Sequence, residues 1–118
     1  MKKILVVDDD TDILTMVEVT LSMHDFEVKA IARWEQVYDS INEFVPDLIL
    51  LDVSLNGADG REICRTIKHD TQTQHIPVIL FSANENMRNY VQQCSAQAFI
   101  SKPYRLDEFL ETIREHLN

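Results

Sequence analysis

Asp8, Asp9, Asp52, Ser82 and Lys102 are side chains of the kinds that handle phosphoryl groups and hard cations. Three carboxylates brought into one crevice would repel one another and raise each other's pKa unless a cation neutralised them. A hard, oxygen-seeking ion resolves the conflict. Mg²⁺ suits best when phosphate is the other ligand, because it keeps waters and accepts one or two protein carboxylates. Lys102 supplies a point charge for a phosphoryl oxygen, and Ser82 a hydroxyl that can donate to another. A carboxylate in such a place can itself be the nucleophile. The set therefore describes a site where a phosphoryl group is received on an acid, its charge spread over Mg²⁺, Lys102 and Ser82.

Each residue also has a plainer reading. Asp10 and Asp12 are better explained as cap and first-turn acids of a helix, favoured by its dipole. Asp8 and Asp9, taken singly, divide evenly between that role and a ligand role. Asp8, Asp10 and Asp12 imitate the opening of an EF-hand, but Ile13 stands where that loop needs Gly and Val19 where it needs Glu. A lone Asp after an apolar strand is usually a turn residue, and a lone Lys-Pro carries little. What counts is the right side-chain type at successive strand ends.

The elements that must position these residues alternate along the chain. Residues 3–7 form a short branched apolar run, which suits a strand buried on both faces. Ile13, Leu14, Val17 and Leu21 follow at helical spacing within 11–24. In 26–31, Phe26, Val28 and Ala30 alternate against Glu27 and Lys29, the pattern of a second strand. A helix over 34–44 buries Val37 and Ile41, and Pro46 stops it. Residues 47–52 (DLILLD) are a third, central strand, and 56–60 a Gly-containing loop leading to a helix with Ile63 and Ile67. A fourth strand spans 76–82, a weak helix 85–94 and a short fifth strand 98–101. Leu106, Phe109, Leu110, Ile113 and Leu117 form one stripe of the last helix.

Five β units alternating with five α units call for an α/β fold, a doubly wound parallel sheet with helices on both faces. Ligands in such sheets bind beyond the carboxyl ends of the strands, where strand order reverses. Asp8 and Asp9 follow the first strand, Asp52 ends the third, and Ser82 and Lys102 follow the fourth and fifth.

Composition narrows the function further. The 118 residues fit a single domain over 1–118, and an apolar fraction of 45% allows a packed core. With 11 Lys plus Arg against 20 Asp plus Glu, the net charge is -9, and the average field repels a phosphate backbone. Direct nucleic-acid binding by this chain is not expected. Cys64 and Cys94 form neither a zinc motif nor a disulfide framework, and read as buried or half-buried thiols. The apolar run after Lys3 ends at Asp8, too short for a signal peptide, and no run approaches a membrane span, so the expected location is cytoplasmic. Gly57 and Gly60 are too few for a P-loop or a dinucleotide fingerprint, and Ser82 lacks the glycines of a nucleophile elbow. The four histidines read as solvated, and Met16, Met23 and Met87 as core gap-fillers.

The chain resembles the receiver domain of bacterial two-component response regulators from its first strand to its last helix. The matching pieces are ILVVDDD ending at Asp10, PDLILLD ending at Asp52, Asp59-Gly60, PVILFSA ending at Ala83, and FISKP ending at Pro103. The resemblance implies the flavodoxin-like, chemotaxis-type fold with strand order 2-1-3-4-5 and five helices. It implies that Asp52 accepts a phosphoryl group from a sensor histidine kinase or a histidine phosphotransfer protein. Asp9, Asp52 and the backbone carbonyl of Ser54 would bind Mg²⁺ directly, with Asp8 acting mostly through water; Mn²⁺ could substitute. Lys102 and Ser82 would grip the phosphoryl oxygens, and Ser82 and Phe99 would form the switch. It also implies a cis Lys102–Pro103 bond, and a small Ala83 beside the phosphate path.

By the same resemblance the chain would catalyse only its own phosphotransfer and autodephosphorylation, with Ser54 and Asn84 nearby. A downstream effector would read the face formed by the fourth helix, fifth strand and fifth helix, including Tyr90, Phe99 and Tyr104. The oligomeric expectation is a monomer or a phosphorylation-dependent dimer. Asn56 stands where the family usually has proline, pointing to a more mobile loop, and Ser95 stands where it usually has glycine. Two readings of output remain: a stand-alone receiver, and the N-terminal half of a transcription factor or output enzyme.

Overall fold

Three adjacent strands with no room for water on either side form the centre of the molecule. The structure, a computed structural model, describes residues 1–117, so Asn118, the end of the expected domain, lies outside the described residues. These strands are β1 (Lys3–Val7), β3 (Leu48–Asp52) and β6 (Val78–Ser82); β2 (Glu27–Ile31) and β7 (Ala98–Ser101) flank them. All pairings are parallel and the order is β2-β1-β3-β6-β7. Numbered within this sheet, that is the expected 2-1-3-4-5. The chain winds outward on one side of β1 and then on the other, so the order reverses between β1 and β3.

Strand periodicity divides the core cleanly in two. Leu5, Val7, Ile49, Leu51, Val78 and Leu80 face α2 (Val37–Phe44) and α3 (Gly60–His69), meeting Val37, Ile41, Ile63, Cys64 and Ile67. Ile4, Val6, Leu48, Leu50, Ile79 and Phe81 face α1 (Thr11–Met23) and α4 (Leu106–Glu115). There they meet Leu14, Val17, Leu21, Phe109, Leu110 and Ile113. Each such side chain contributes about 1.5–3 kcal/mol of burial, so the sheet centre is the most strongly held part of the fold.

Local chemistry ends the helices as the sequence suggests. Asp10 caps α1, accepting from the backbone N–H groups of Asp12 and Ile13. Val45 adopts a left-handed conformation after α2, and Pro46 follows. Among the described residues no helix is long and apolar enough to cross a membrane. Both cysteines are buried free thiols, as expected.

Several details differ from the expectations. The weak helix over 85–94 is a 3-10 segment, Glu85–Tyr90, followed by turns. Asn84, Asn86 and Asn89 lie in this stretch, and asparagine competes with the helical backbone for hydrogen bonds. Ser95, standing for glycine, takes φ 64° and absorbs the left-handed turn, at a cost of about 1–2 kcal/mol. The loop over 56–60 is part of a small antiparallel hairpin, β4 (Ser54–Leu55) and β5 (Ala58–Asp59), around an Asn56-Gly57 turn with Gly57 at φ 86°. Met16 and Met23 are 53% and 75% exposed rather than in the core, since Leu14, Val17 and Leu21 already supply the buried face of α1. Met87 does pack against the core. His69 and His75 are exposed, whereas His24 and His116 are half-buried.

Candidate functional site

Strand register brings the polar strand ends together. Val7 pairs with Leu51, so the next step along β1 and β3 reaches Asp8 and Asp52. Asp52 pairs with Phe81, placing Ser82 one step further, and Ser82 pairs with Ser101, placing Lys102 after it. Carboxylate oxygens of Asp8, Asp9 and Asp52 lie within 4.8 Å of one another. Lys102 Nζ donates to Asp8 Oδ2 at 2.8 Å and to Asp52 Oδ2 at 3.3 Å. Its ammonium also sits 4.5 Å from the centre of the Phe81 ring.

Each acid is held by the backbone as well. Asp8 Oδ1 accepts from the Asp10 N–H at 3.0 Å, and Asp52 Oδ1 from the Ser54 N–H at 3.1 Å. Asp9, exposed, has Oδ2 fixed by the Asn56 N–H at 2.8 Å, so the hairpin reaches back to steady it. Asp8 and Asp52 are 0% and 5% exposed, and at this depth carboxylates within 4.8 Å of one another repel by about 3 kcal/mol or more.

The strain falls on Asp52. Burial, reinforced by a hydrogen bond and repulsion from Asp8, pushes its pKa up to about 7, against smaller opposing effects of Lys102 and the Ser54 N–H. Burial also works against charge on Lys102, but Asp8 and Asp52 outweigh it and hold its pKa above the usual value. The two directions agree once the geometry is considered: the single ammonium is closest to Asp8, and Asp52 is the acid left under-compensated. A second positive charge is what this cluster lacks. The clustered donors are all carboxylate oxygens, which fits a hard divalent ion such as Mg²⁺ and not a thiophilic one.

Asp8, Asp9, Asp52 and Lys102 are thus in one cluster. Ser82 is buried at the adjoining strand end, with Oγ accepting from the Asn84 N–H at 3.0 Å and no bond to the acids. Phe99 is buried on the α3 side of the sheet, beneath the Arg88 guanidinium at 4.8 Å. The Lys102–Pro103 bond is cis, and Ala83 is exposed beside Ser82.

Three supporting residues have roles that sequence reasoning did not assign. A Cβ on Gly60 would lie 2.1 Å from the Asp52 carbonyl oxygen, so only glycine lets α3 begin against the end of β3. Asn56 acts through its backbone, and Phe81 through its ring. Asp59-Gly60 was visible as a motif piece; the other two carry no signal in a sequence, because the contacts are a backbone amide and a ring face.

Comparison with known proteins places this geometry in context. The response regulator receiver domain family model matches residues 4–114. The phosphate regulon transcriptional regulatory protein PhoB of Pseudomonas aeruginosa is 35% identical over 115 residues, covering 96% of this chain and 50% of that protein. The DNA-binding response regulator MtrA of Mycobacterium leprae is 30% identical over 98% of this chain and 51% of its own length. The chain spans about half the length of the curated relatives it matches. Among solved structures, the BeF3-activated N-terminal receiver domain of Klebsiella pneumoniae RstA superposes with TM-score 0.90 at 28% identity, covering 99% of both chains. TrrA of Thermotoga maritima, in complex with Mg(2+)-BeF, also gives TM-score 0.90, at 26% identity over 99% of this chain and 100% of that one.

Proposed function

The chain belongs to the response regulator receiver domain family, and from that premise we propose that Asp52 accepts a phosphoryl group from the phosphohistidine of a sensor histidine kinase or histidine phosphotransfer protein. The observation that carries this reading is the meeting of Asp8, Asp9 and Asp52 with Lys102 at the point where strand order reverses. In the transfer, an Asp52 carboxylate oxygen attacks phosphorus, the P–N bond breaks, and its electron pair returns to the donor imidazole. Lys102, already 3.3 Å from Asp52 Oδ2, moves its charge onto the incoming phosphoryl oxygens. The Ser82 hydroxyl releases the Asn84 N–H and donates to another of them. Phe99 and Ser82 then carry the change to the face formed by the segment Glu85–Tyr90, β7 and α4, which includes Tyr90 and Tyr104 and which a downstream effector reads.

Asp9, Asp52 and the backbone carbonyl of Ser54, with Asp8 alongside, are the residues that would hold Mg²⁺ or Mn²⁺. When bound, the ion supplies positive charge that offsets the clustered acids and the phosphoryl oxygens. Asp52 must be ionised to attack, and with its pKa near 7 it depends on that added charge at neutral pH.

The protein is a phosphoacceptor that catalyses its own phosphotransfer and autodephosphorylation, the latter in reach of Ser54 and Asn84. It works in the cytoplasm as one domain over 1–118, a monomer or a phosphorylation-dependent dimer. Relatives about twice its length, one named as a transcriptional regulatory protein and one as a DNA-binding response regulator, support a second reading in which it is the input half of a transcription factor. Acetyl phosphate with Mg²⁺ should label the protein on Asp52, and Asp52→Asn should abolish the label; labelling that survives the substitution rejects the assignment.

A further inference from the structure

The acceptor chemistry uses neither thiol, yet the two lie against each other. Cys64 is on the buried face of α3, and Cys94 lies in the turns after the segment Glu85–Tyr90, immediately before Ser95 with its positive φ. Both are fully buried. Cys64 Sγ donates to the Cys94 carbonyl oxygen at 3.3 Å, and Cys94 Sγ donates to the Tyr90 carbonyl oxygen at 2.9 Å. Burial, and after it the neighbouring Cys94 thiol, raise the Cys64 pKa. In the closed, reduced protein Cys64 is therefore protonated, and both residues act as small core side chains.

What the pair joins gives it consequence. Cys64 shares α3 with Gly60, whose backbone abuts Asp52. Cys94 belongs to the connection that starts just after Ser82 and ends at Phe99. Between Asn84 and Ala96 the backbone bonds are short-range: Met87 to Asn84, Val91 to Arg88, Cys94 to Tyr90, Ser95 to Gln92 and Ala96 to Val91, and the tie back to the sheet comes only at Gln97, whose N–H bonds to the Val78 carbonyl. A stretch closed by such bonds opens at much lower free energy than the sheet it is attached to. Opening would free Cys94 from Tyr90 and admit a small oxidant to both thiols.

We propose that Cys64 and Cys94 are a redox-sensitive pair that closes into a disulfide when the 84–96 connection opens in the presence of a two-electron oxidant such as a peroxide. One thiolate attacks the peroxide oxygen, and its proton completes the first water, leaving a sulfenic acid. The second thiol displaces the sulfenic oxygen as a second water while the S–S bond forms. Two thiols are oxidised and one peroxide reduced, with no other co-reactant. The bond closes a loop between positions 30 apart and staples α3 to the segment ahead of β7, restraining the part of the fold that lies between Ser82 and Phe99.

The full chain, reduced and then treated with hydrogen peroxide under native conditions, can be alkylated in denaturant and weighed. The expected product is monomeric, lighter by two hydrogens and resistant to alkylation. It yields one linked peptide pair containing Cys64 and Cys94, and dithiothreitol restores both thiols. Two alkylated cysteines in the treated, folded protein, or linkage between molecules instead, overturns the proposal. Amide exchange across 85–96 should then slow by about tenfold or more in the oxidised protein; unchanged exchange rejects the staple. Cys64→Ala should remove the protected product and leave Cys94 alkylatable after reduction, but the wild-type mass decides the question without that variant.

Discussion

Around Asp52 the structure is tied by bonds between residues far apart in sequence, whereas from 87 to 96 nearly every backbone bond closes within five residues. Val53 N–H bonds to the Phe81 carbonyl, Lys102 N–H to that of Ser82, and Lys102 Nζ reaches Asp8 across the sheet. In the β6–β7 connection, besides the buried Cys64 Sγ bond to the Cys94 carbonyl and the Gln97 pairing with Val78 next to β7, the longer-range ties are side-chain contacts at the surface. Arg61, itself ion-paired to Asp59, lies 4.3 Å over the Tyr90 ring; Arg88, paired with Glu85, lies over Phe99; and Ser101 bonds to Glu85. Chemistry on a carboxylate requires groups that do not reorganise as charge develops. A surface that reports the event must instead be able to yield, and such regions come from the less stable end of a fold.

Breaking the rigid half should have the largest effect. Gly60→Ala forces a methyl group into the Asp52 carbonyl, and should cost about 2–4 kcal/mol of stability. Urea denaturation measures it, and a midpoint equal to wild type would mean that α3 is not seated against the acceptor strand as described.

The next effect is electrostatic. Folded Asp52 keeps its proton up to about pH 7, while the unfolded chain loses it near 3.8. In that window the native state binds more protons, so metal-free stability falls as pH rises from about 4 to 7. Mg²⁺ should reverse the loss, and Asp52→Asn should flatten the slope. A profile that climbs steadily through the window, unchanged by the substitution, would place the raised pKa elsewhere.

The smallest change sharpens the contrast from the other side. Arg61→Ala and Arg88→Ala each remove an exposed cation–π contact, which should cost about 0.5–1 kcal/mol. Amide exchange should speed up across 85–95 and leave the sheet centre and the Asp52 titration as they were. Equal loosening of β3 would show that the two regions are one cooperative unit.

Much of this was readable beforehand. Short apolar runs at 4–7, 48–51 and 78–81 suit strands buried on both faces, and the polar residues that follow them mark the site. Asp10 as a cap and Cys64 and Cys94 as buried thiols were also legible. The 85–94 stretch was not, since weak helical periodicity and three asparagines leave α-helix, 3-10 helix and turn close in energy. Met16 and Met23 show the same limit: an apolar residue on a helix is buried only if the stripe has room for it.

By itself, the sequence determined the alternation of strands and helices, the parallel sheet, and the identities of Asp8, Asp9, Asp52, Ser82 and Lys102 as the groups at its edge. Periodicity and side-chain type are local properties, and they suffice for that. Tertiary structure alone decided that Lys102 sits closer to Asp8 than to Asp52, that Asn56 steadies Asp9, that Gly60 lets α3 meet Asp52, and that the Cys64 thiol meets the Cys94 carbonyl. Those outcomes depend on how strands 40 or more residues apart in sequence are set in register. Distances and pKa shifts at a buried site follow from that register to within an ångström, a precision no spacing along the chain contains.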